Sequence, residues 1–341
     1  MPTYLITLAT GQQARHTISA LLSADPSAKI HAVVRNPTNP AALSLAAAGA
    51  KLFTGNLDDT AVFREAAQGC TGVFLNLLPV TNDSSNPHAQ TVNTDSERER
   101  ATNILRACRE AGVKFVVAST AVYVDDRSKW DVEGVRGMGL GMYEYYASKA
   151  GMEEAVKNAG LEGGWMILRP GWLMSNYLMP AAEYVYPELK DRGEVVHSYE
   201  EGMGFVHTDE RDVGRYAAMA LLEPERFRGR EIDLGGEWLG IEEAVGAMGR
   251  VAGREVRVRK RTEEEEKGAF EGGRVAYPFE VWANWMGDRV HEEEGEGEGG
   301  KKGRAGDRAR REAEGLGIRL TGLEEYLKRE REVLMNSLPA E

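Results

Sequence analysis

Short runs of consecutive apolar residues alternate with amphipathic segments through the first half of the chain. Apolar runs of this kind are typical of parallel strands buried on both faces of a sheet, with helices covering each face. The clearest helix spans 95–111, where Ala101, Ile104, Leu105 and Cys108 recur at helical spacing. The pattern predicts strands beginning at residue 4 and at 30–34, 51–53, 72–78, 114–119 and 165–170, and helices at 16–22, 41–48, 60–67, 95–111 and 143–159.

The second half of the chain is less regular. Its pattern predicts helices at 212–222, 241–251 and 323–335, a strand at 231–234 and a basic edge strand at 255–261. A capping box formed by Thr262 and Glu265 predicts one more helix, and the stretch 291–306, rich in Glu, Gly and Lys, predicts a mobile loop. The alternation of strands and helices indicates an α/β fold with a doubly wound parallel sheet. Ligands of such sheets bind at the carboxyl ends of the strands.

Composition narrows the class of protein. A chain of 341 residues, 42% of them hydrophobic, has room for a large α/β domain and a smaller lobe. The net charge of −12 disfavours nucleic acid and anionic membranes as partners. Cys70 and Cys108 alone provide neither a disulfide framework nor a cysteine zinc site. The chain opens without a signal-peptide pattern and has no apolar run as long as a membrane helix, so we expect a cytoplasmic protein.

The turn after the first strand has part of a phosphate-binding pattern. Leu8, Gly11 and Ala14 occupy the three positions of a glycine fingerprint between a predicted strand and a predicted helix. Ala14 is tolerated, because its position requires only close packing of helix and strand. Leu8 is the departure, because the first glycine normally makes the tight turn. The turn alone is equally compatible with an ordinary strand–helix connection.

A tyrosine and a lysine in the helix 143–159 carry the strongest chemical signal. Tyr145 and Lys149 are four residues apart and therefore lie on one helix face, and Ser119 ends a neighbouring strand. An ammonium group beside a phenol stabilises the phenolate, so we expect Tyr145 to titrate below its usual pKa of about 10. The serine hydroxyl would orient a carbonyl oxygen beside the phenol. The alternative is a packed tyrosine beside a solvated lysine.

Taken together, these motifs resemble those of the short-chain dehydrogenase/reductase superfamily and, within it, the atypical NmrA-like family. The resemblance rests on the stretches 7–14, 34–37, 55–59, 111–114, 119–123, 145–149, 168–172 and 206–214. It implies an NAD(P)-binding Rossmann domain over 1–175, its sheet completed by 205–236, and a smaller C-terminal α+β substrate lobe over 176–341. It also implies that Ser119, Tyr145 and Lys149 form the catalytic set.

The family resemblance also implies where the cofactor lies. Arg35 ends the second strand, where a basic residue accepts the ribose 2′-phosphate, so NADP(H) is expected to be preferred over NAD(H). A solvated arginine before a turn is the alternative. Asn56 stands where the superfamily usually has an aspartate that binds the adenine. The expected cofactor contacts are Thr10, Gly11, Gln12, Gln13, Ala14, Arg35, Asn56, Leu57, Leu78, Pro79, Lys149, Pro170, Gly171 and Trp172.

The function that these motifs favour is an NADPH-dependent reductase of a small, largely apolar carbonyl or enone. The residues expected to contact substrate are Tyr123, Trp172, Met174 and Tyr177. No metal site is expected, because Asp212, near His207, is better explained as a helix cap. Two alternatives stay open: a non-catalytic NADP(H)-binding sensor of the NmrA type, and a redox-neutral isomerase or epimerase. A homodimer is possible in either case.

Overall fold

The computed structural model describes residues 1–80, 92–294 (without the side chains of 288–294), 311 and 313–340. The strands of the described chain are β1 (Thr3–Ile6), β2 (Lys29–Val34), β3 (Lys51–Thr54), β4 (Gly72–Asn76), β5 (Phe115–Ser119), β6 (Gly164–Pro170), β7 (Trp172–Leu173), β8 (Glu194–His197), β9 (Gly204–Thr208), β10 (Arg230–Leu234), β11 (Glu237–Gly240) and β12 (Arg257–Lys260). The main sheet has seven strands in the order β10-β6-β5-β4-β1-β2-β3. All of them are parallel, which confirms the parallel sheet predicted from the alternating pattern.

Helices cover both faces of this sheet. None of those in the described part of the chain is long and apolar enough to cross a membrane. The helices of the main sheet and of the C-terminal part include α1 (Gln12–Ala24), α2 (Pro40–Ala47), α3 (Thr60–Ala66), α4 (Ser96–Glu110), α5 (Glu133–Gly137), α6 (Met142–Lys157), α7 (Ala182–Val185), α8 (Glu188–Arg192), α9 (Glu210–Leu222), α10 (Pro224–Phe227), α11 (Ile241–Ala252), α12 (Glu263–Glu271), α13 (Tyr277–Glu294), α14 (Leu323–Arg329) and α15 (Arg331–Asn336).

Two apolar cores lie on the two faces of the sheet. On one face α1 packs on α9 so closely that a Cβ added at Gly214 would lie 2.5 Å from the backbone carbon of His16. On the other face lie α3, α4 and α6. The predicted stripe of α4 is confirmed, because all four of its apolar residues are buried: Ala101, Ile104, Leu105 and Cys108. Burial of a leucine or isoleucine of this kind contributes about 1.5–3 kcal/mol.

The C-terminal part has its own apolar core and two small sheets, ordered β11-β9-β7 and β12-β8. Residues 205–236, which are expected to complete the main sheet, divide between that sheet and the C-terminal part. Strand β10 joins the main sheet beside β6, whereas β9 pairs with β7 and β11 in a small sheet. The basic edge strand predicted at 255–261 is confirmed as β12, which pairs with β8. The other strands of the small sheets are absent from the prediction, because strands of two to five residues carry few positions for a clear alternation.

Several helix boundaries differ from those predicted. Helix α9 begins at Glu210 with Asp209 as its cap, so the assignment of Asp212 as the cap is wrong. The region predicted as 323–335 is two helices, α14 and α15, that meet at Glu330. Helix α13 is absent from the prediction. Its residues 291–294 lie where the mobile loop 291–306 was expected, so the first part of that loop is wrong. Residues 295–306 lie outside the described chain.

Candidate functional site

The turn after β1 has the conformation that a glycine would normally provide. Leu8 has a φ of +44°, in the left-handed region, and the Gly11 N–H donates to its carbonyl oxygen at 2.8 Å. A Cβ at position 11 would lie 3.2 Å from the same oxygen, so glycine suits that position. Helix α1 begins at once, and no side chain caps its first N–H groups. The turn therefore presents open amide donors at a helix N-terminus, which is favourable for a phosphate.

Three polar side chains meet where β4 and β5 end. The Ser119 hydroxyl donates to Gln13 Oε1 at 2.7 Å, and the Asn76 amide nitrogen lies 3.5 Å from the same oxygen. Gln13 is one of the expected cofactor contacts, and the structure joins it to the expected catalytic serine. Asn76 is not among the predicted residues, because the predicted strand 72–78 runs past it, whereas the observed β4 ends at Asn76 and places it at this edge of the sheet.

Lys149 has a buried acidic partner that the sequence analysis does not identify. Its Nζ lies 2.8 Å from Glu97 Oε1 and donates to the Leu77 carbonyl at 3.2 Å. The other oxygen of Glu97 accepts from the Ser148 hydroxyl at 2.9 Å. Glu97 is fully buried, at 0% exposure. Its position four residues before Ala101 places it on the buried stripe of α4, and that was the available signal.

The Tyr145 phenol lies beside this ion pair. Lys149 Nζ is 5.7 Å from the centre of its ring. Burial raises the pKa of Tyr145 above its usual value; Lys149 opposes that shift and Glu97 adds to it. The expectation of a lowered Tyr145 pKa is therefore wrong, because desolvation and the partner of the lysine outweigh the lysine itself. Tyr145 is a phenol at neutral pH, able to donate a proton.

An aromatic wall extends from α6 to the C-terminal part of the chain. The rings of Trp172 and Phe279 are 4.8 Å apart, those of Phe279 and Trp282 are 5.5 Å apart, and Tyr123 meets Trp282 at 6.0 Å. The indole N–H of Trp172 is buried and has no hydrogen-bond partner in the described chain. Tyr123 and Trp172 were predicted from sequence, whereas the two residues of α13 were not.

The other two expected substrate residues belong to the core of the C-terminal part. Met174 and Tyr177 are both at 0% exposure, and the Tyr177 hydroxyl lies 2.8 Å from His207 Nε2. Burial of these side chains leaves them no surface toward a ligand, so we assign them to packing and not to the site. Among the described residues no group of three or more His, Cys, Asp or Glu side chains is arranged to hold a metal ion.

The remaining expected cofactor residues follow the carboxyl edge of the sheet. Arg35 is exposed and makes no hydrogen bond or ion pair within the described chain. Asn56 is exposed, but its side-chain oxygen accepts from the Asp58 N–H at 2.8 Å. Leu78 is 58% exposed. Gly171 is also an expected cofactor contact, but its N–H is bonded within the chain, to Thr208 Oγ1 at 2.9 Å and to Leu234 O at 3.2 Å. Thr10, Leu57 and Pro79 are half-buried, and Pro170 is buried.

The strand order and the uncapped helix after β1 define a protein with a Rossmann-like fold. The chain belongs to the NmrA-like family, whose model matches residues 2–295. The resemblance drawn from the sequence motifs is thereby confirmed.

One curated relative and two proteins of known structure illustrate the range of this similarity. The chain is 27% identical over 180 residues to the NmrA-like family domain-containing oxidoreductase ptmS of Penicillium ochrochloron, a match covering 52% of this chain and 49% of that protein. It thus spans about half the length of the curated relatives it matches. The NADPH complex of the Escherichia coli quinone oxidoreductase QOR2 superposes with a TM-score of 0.68 at 19% identity, covering 96% of this chain and 99% of that one.

The negative transcriptional regulator NmrA has the same fold. Its NADP complex superposes with a TM-score of 0.65 at 19% identity and its NAD complex with 0.67 at 17%, each covering 99% of this chain and 98% of that one. At such identities the structures show the fold that the proteins share.

Proposed function

We propose that this protein is an NADPH-dependent reductase of a small, largely apolar carbonyl or enone compound. The observation that carries the proposal is the position of Tyr145: its ring centre lies 5.7 Å from Lys149 Nζ, which itself donates to the Leu77 carbonyl at the carboxyl end of β4. Relatives described as oxidoreductases support it, among them ptmS and, for the fold, QOR2.

The residues at the sheet edge fit a dinucleotide phosphate. The open N-terminus of α1 and the close approach allowed by Gly11 suit a pyrophosphate. The exposed guanidinium of Arg35, which has no partner among the described residues, suits the additional 2′-phosphate of NADP(H), since charge-assisted contacts of this type are strong. When bound, NADPH supplies the hydride, two electrons with one proton, that a carbonyl carbon accepts.

The chain itself supplies the second proton and the orientation of the substrate. Tyr145 donates its phenolic proton to the substrate oxygen as negative charge develops there. Ser119 stands at the end of β5, and its hydroxyl, which donates to Gln13 Oε1 in the structure, can turn to donate to that oxygen. Lys149 is fixed by Glu97 and by the Leu77 carbonyl, which leaves it one further N–H for a ribose hydroxyl.

The aromatic wall favours a flat, apolar substrate. Trp172 and Phe279, both half-buried, provide ring faces, and Trp282, which is fully buried, packs behind Phe279; aromatic pairs add about 0.5–1.5 kcal/mol beyond the area they bury. The indole N–H of Trp172, which has no hydrogen-bond partner in the described chain, can donate to one polar group of that substrate.

The test is oxidation of NADPH by the purified protein in the presence of a panel of aldehydes, ketones, enones and quinones. We expect turnover of at least one aromatic member, and Trp172→Phe, which keeps an aromatic ring but removes the N–H, should raise the KM for that substrate. Tight binding of NADP(H) with no turnover of any member would contradict the proposal.

A second candidate, a dinucleotide-binding sensor, is favoured by one observation. The polar groups of Ser119 and Lys149 are already bonded within the chain, and the regulator NmrA has the same fold. In that case NADP(H) would change the affinity for a protein partner and would not be consumed. The panel assay separates the two functions.

A further inference from the structure

Glu97 is a buried carboxylate in a helix face that is otherwise apolar. Both of its oxygens are used, one by Lys149 on α6 and the other by Ser148 beside it. Lys149 is also buried, at 5% exposure. A buried ion pair is commonly no more stabilising than apolar residues of similar size, because both charges lose their hydration. Stability alone therefore does not explain why a carboxylate occupies this position.

The only charged groups that act on Tyr145 within the described chain are the ion pair of Lys149 and Glu97. They act on the phenol in opposite directions. Of the other acidic residues on α6, Glu144 is half-buried and is not among the charges that act on the phenol, whereas Glu153 and Glu154 have partners of their own. Glu153 binds Arg169 and accepts from Thr120, and Glu154 pairs with Arg98 of α4.

The remaining elements packed near Tyr145 do not bring another charge to it. On α13 the carboxylate of Glu280 is bonded to Arg261 and the Ser198 N–H. Near α5, Arg136 lies over Tyr143 and pairs with Asp131. The electrostatics of the phenol are thus set where α4 meets α6.

We propose that Glu97 is a positioning residue that cancels the charge of Lys149 toward Tyr145, so that the tyrosine stays a proton donor and the site is biased toward reduction. The inference rests on the proposed reductase function. A lone ammonium would stabilise the phenolate, the form that accepts a proton from an alcohol. The ion pair of Lys149 with Glu97 has no net charge and does not stabilise the phenolate. It still holds the lysine in place for ribose binding.

The test is the titration of Tyr145 by NMR of the protein labelled with ¹³C-tyrosine, its resonance assigned with Tyr145→Phe. Lys149→Met leaves Glu97 unpaired and ionised at high pH, and should raise the Tyr145 pKa by about one unit or more. Adding Glu97→Gln should return the Tyr145 pKa to within about half a unit of the wild-type value. The reason is that two uncharged side chains then replace an ion pair whose net charge is zero. The matched control adds Glu99→Gln instead, which removes a charge from the exposed face of the same helix and should restore nothing.

Two outcomes would overturn the inference. If Glu97→Gln does not lower the Tyr145 pKa of the Lys149→Met protein, Glu97 does not act on the phenol. If the double variant stays about one unit above wild type, Lys149 acts as an uncompensated cation. Circular dichroism checks that each variant is folded. Because the titration needs neither cofactor nor substrate, its result is independent of the panel assay, which tests the reductase function itself.

Discussion

Leu8 offers a direct test of how the turn after β1 is built. Its φ of +44° is unfavourable for a residue with a Cβ and costs roughly 1–2 kcal/mol. Glycine at this position would relieve that strain. We therefore expect Leu8→Gly to keep the fold and to bind the dinucleotide at least as well as the wild type.

The size of the effect follows from three contributions. Relief of strain gains about 1–2 kcal/mol, and the greater freedom of glycine in the unfolded chain costs about 0.5–1 kcal/mol. Loss of the half-buried leucine side chain costs about 1 kcal/mol, roughly half of a full burial. The free energy of unfolding should thus change by less than about 1 kcal/mol in either direction.

Leu8→Ala is the matched variant, because it loses the same side chain but keeps the strain. We expect the glycine variant to be more stable than the alanine variant, measured by urea unfolding. At Ser19, an exposed position inside α1, the order should be reversed, with Ser19→Ala more stable than Ser19→Gly by about 1 kcal/mol. Dinucleotide affinity is measured by fluorescence titration.

The reasoning would be refuted if alanine were the more stable residue at position 8. It would also be refuted by a loss of several kcal/mol in Leu8→Gly, which would show that the leucine side chain is a core residue and that the turn does not depend on a left-handed conformation.

The remaining predictions concern the charged and phenolic groups of the site. Arg35→Asp should erase or reverse a preference for NADP(H) over NAD(H), by about 1.5–3 kcal/mol, in parallel titrations with the two dinucleotides; unchanged affinities would make Arg35 an ordinary surface residue. Tyr145→Phe should slow turnover about 10²–10⁴-fold with NADP(H) still bound, whereas Tyr146→Phe, whose ring packs on Trp130 and Trp282, should not. Because the pKa of Tyr145 is raised, its proton is present below that pKa, and reduction should be flat across neutral pH and fall only above about pH 10. Lys149→Met should lose both activity and some cofactor affinity; a variant with normal kinetics would remove the lysine from the site.

Local patterns in the sequence are sufficient to predict the strands and helices of the main sheet and the sheet edge at which the candidate site lies. Apolar runs and helical stripes are local patterns, and each can be recognised within a window of one element. The stripe of α4 and the i, i+4 relation of Tyr145 and Lys149 are examples. The positions that end the strands, such as Ser119, follow from the same patterns, because parallel strands bring their carboxyl ends to one edge.

Which groups surround Tyr145 depends on contacts between elements that are far apart in the sequence. Glu97 and Lys149 are 52 residues apart in the chain and become partners through the packing of α4 on α6. Helix α13, which supplies Phe279 and Trp282 to the wall, is placed by contacts with α6 that no local pattern contains. The direction of the Tyr145 pKa depends on the sum of burial and all nearby charges, so a single neighbouring lysine in the sequence could not predict it.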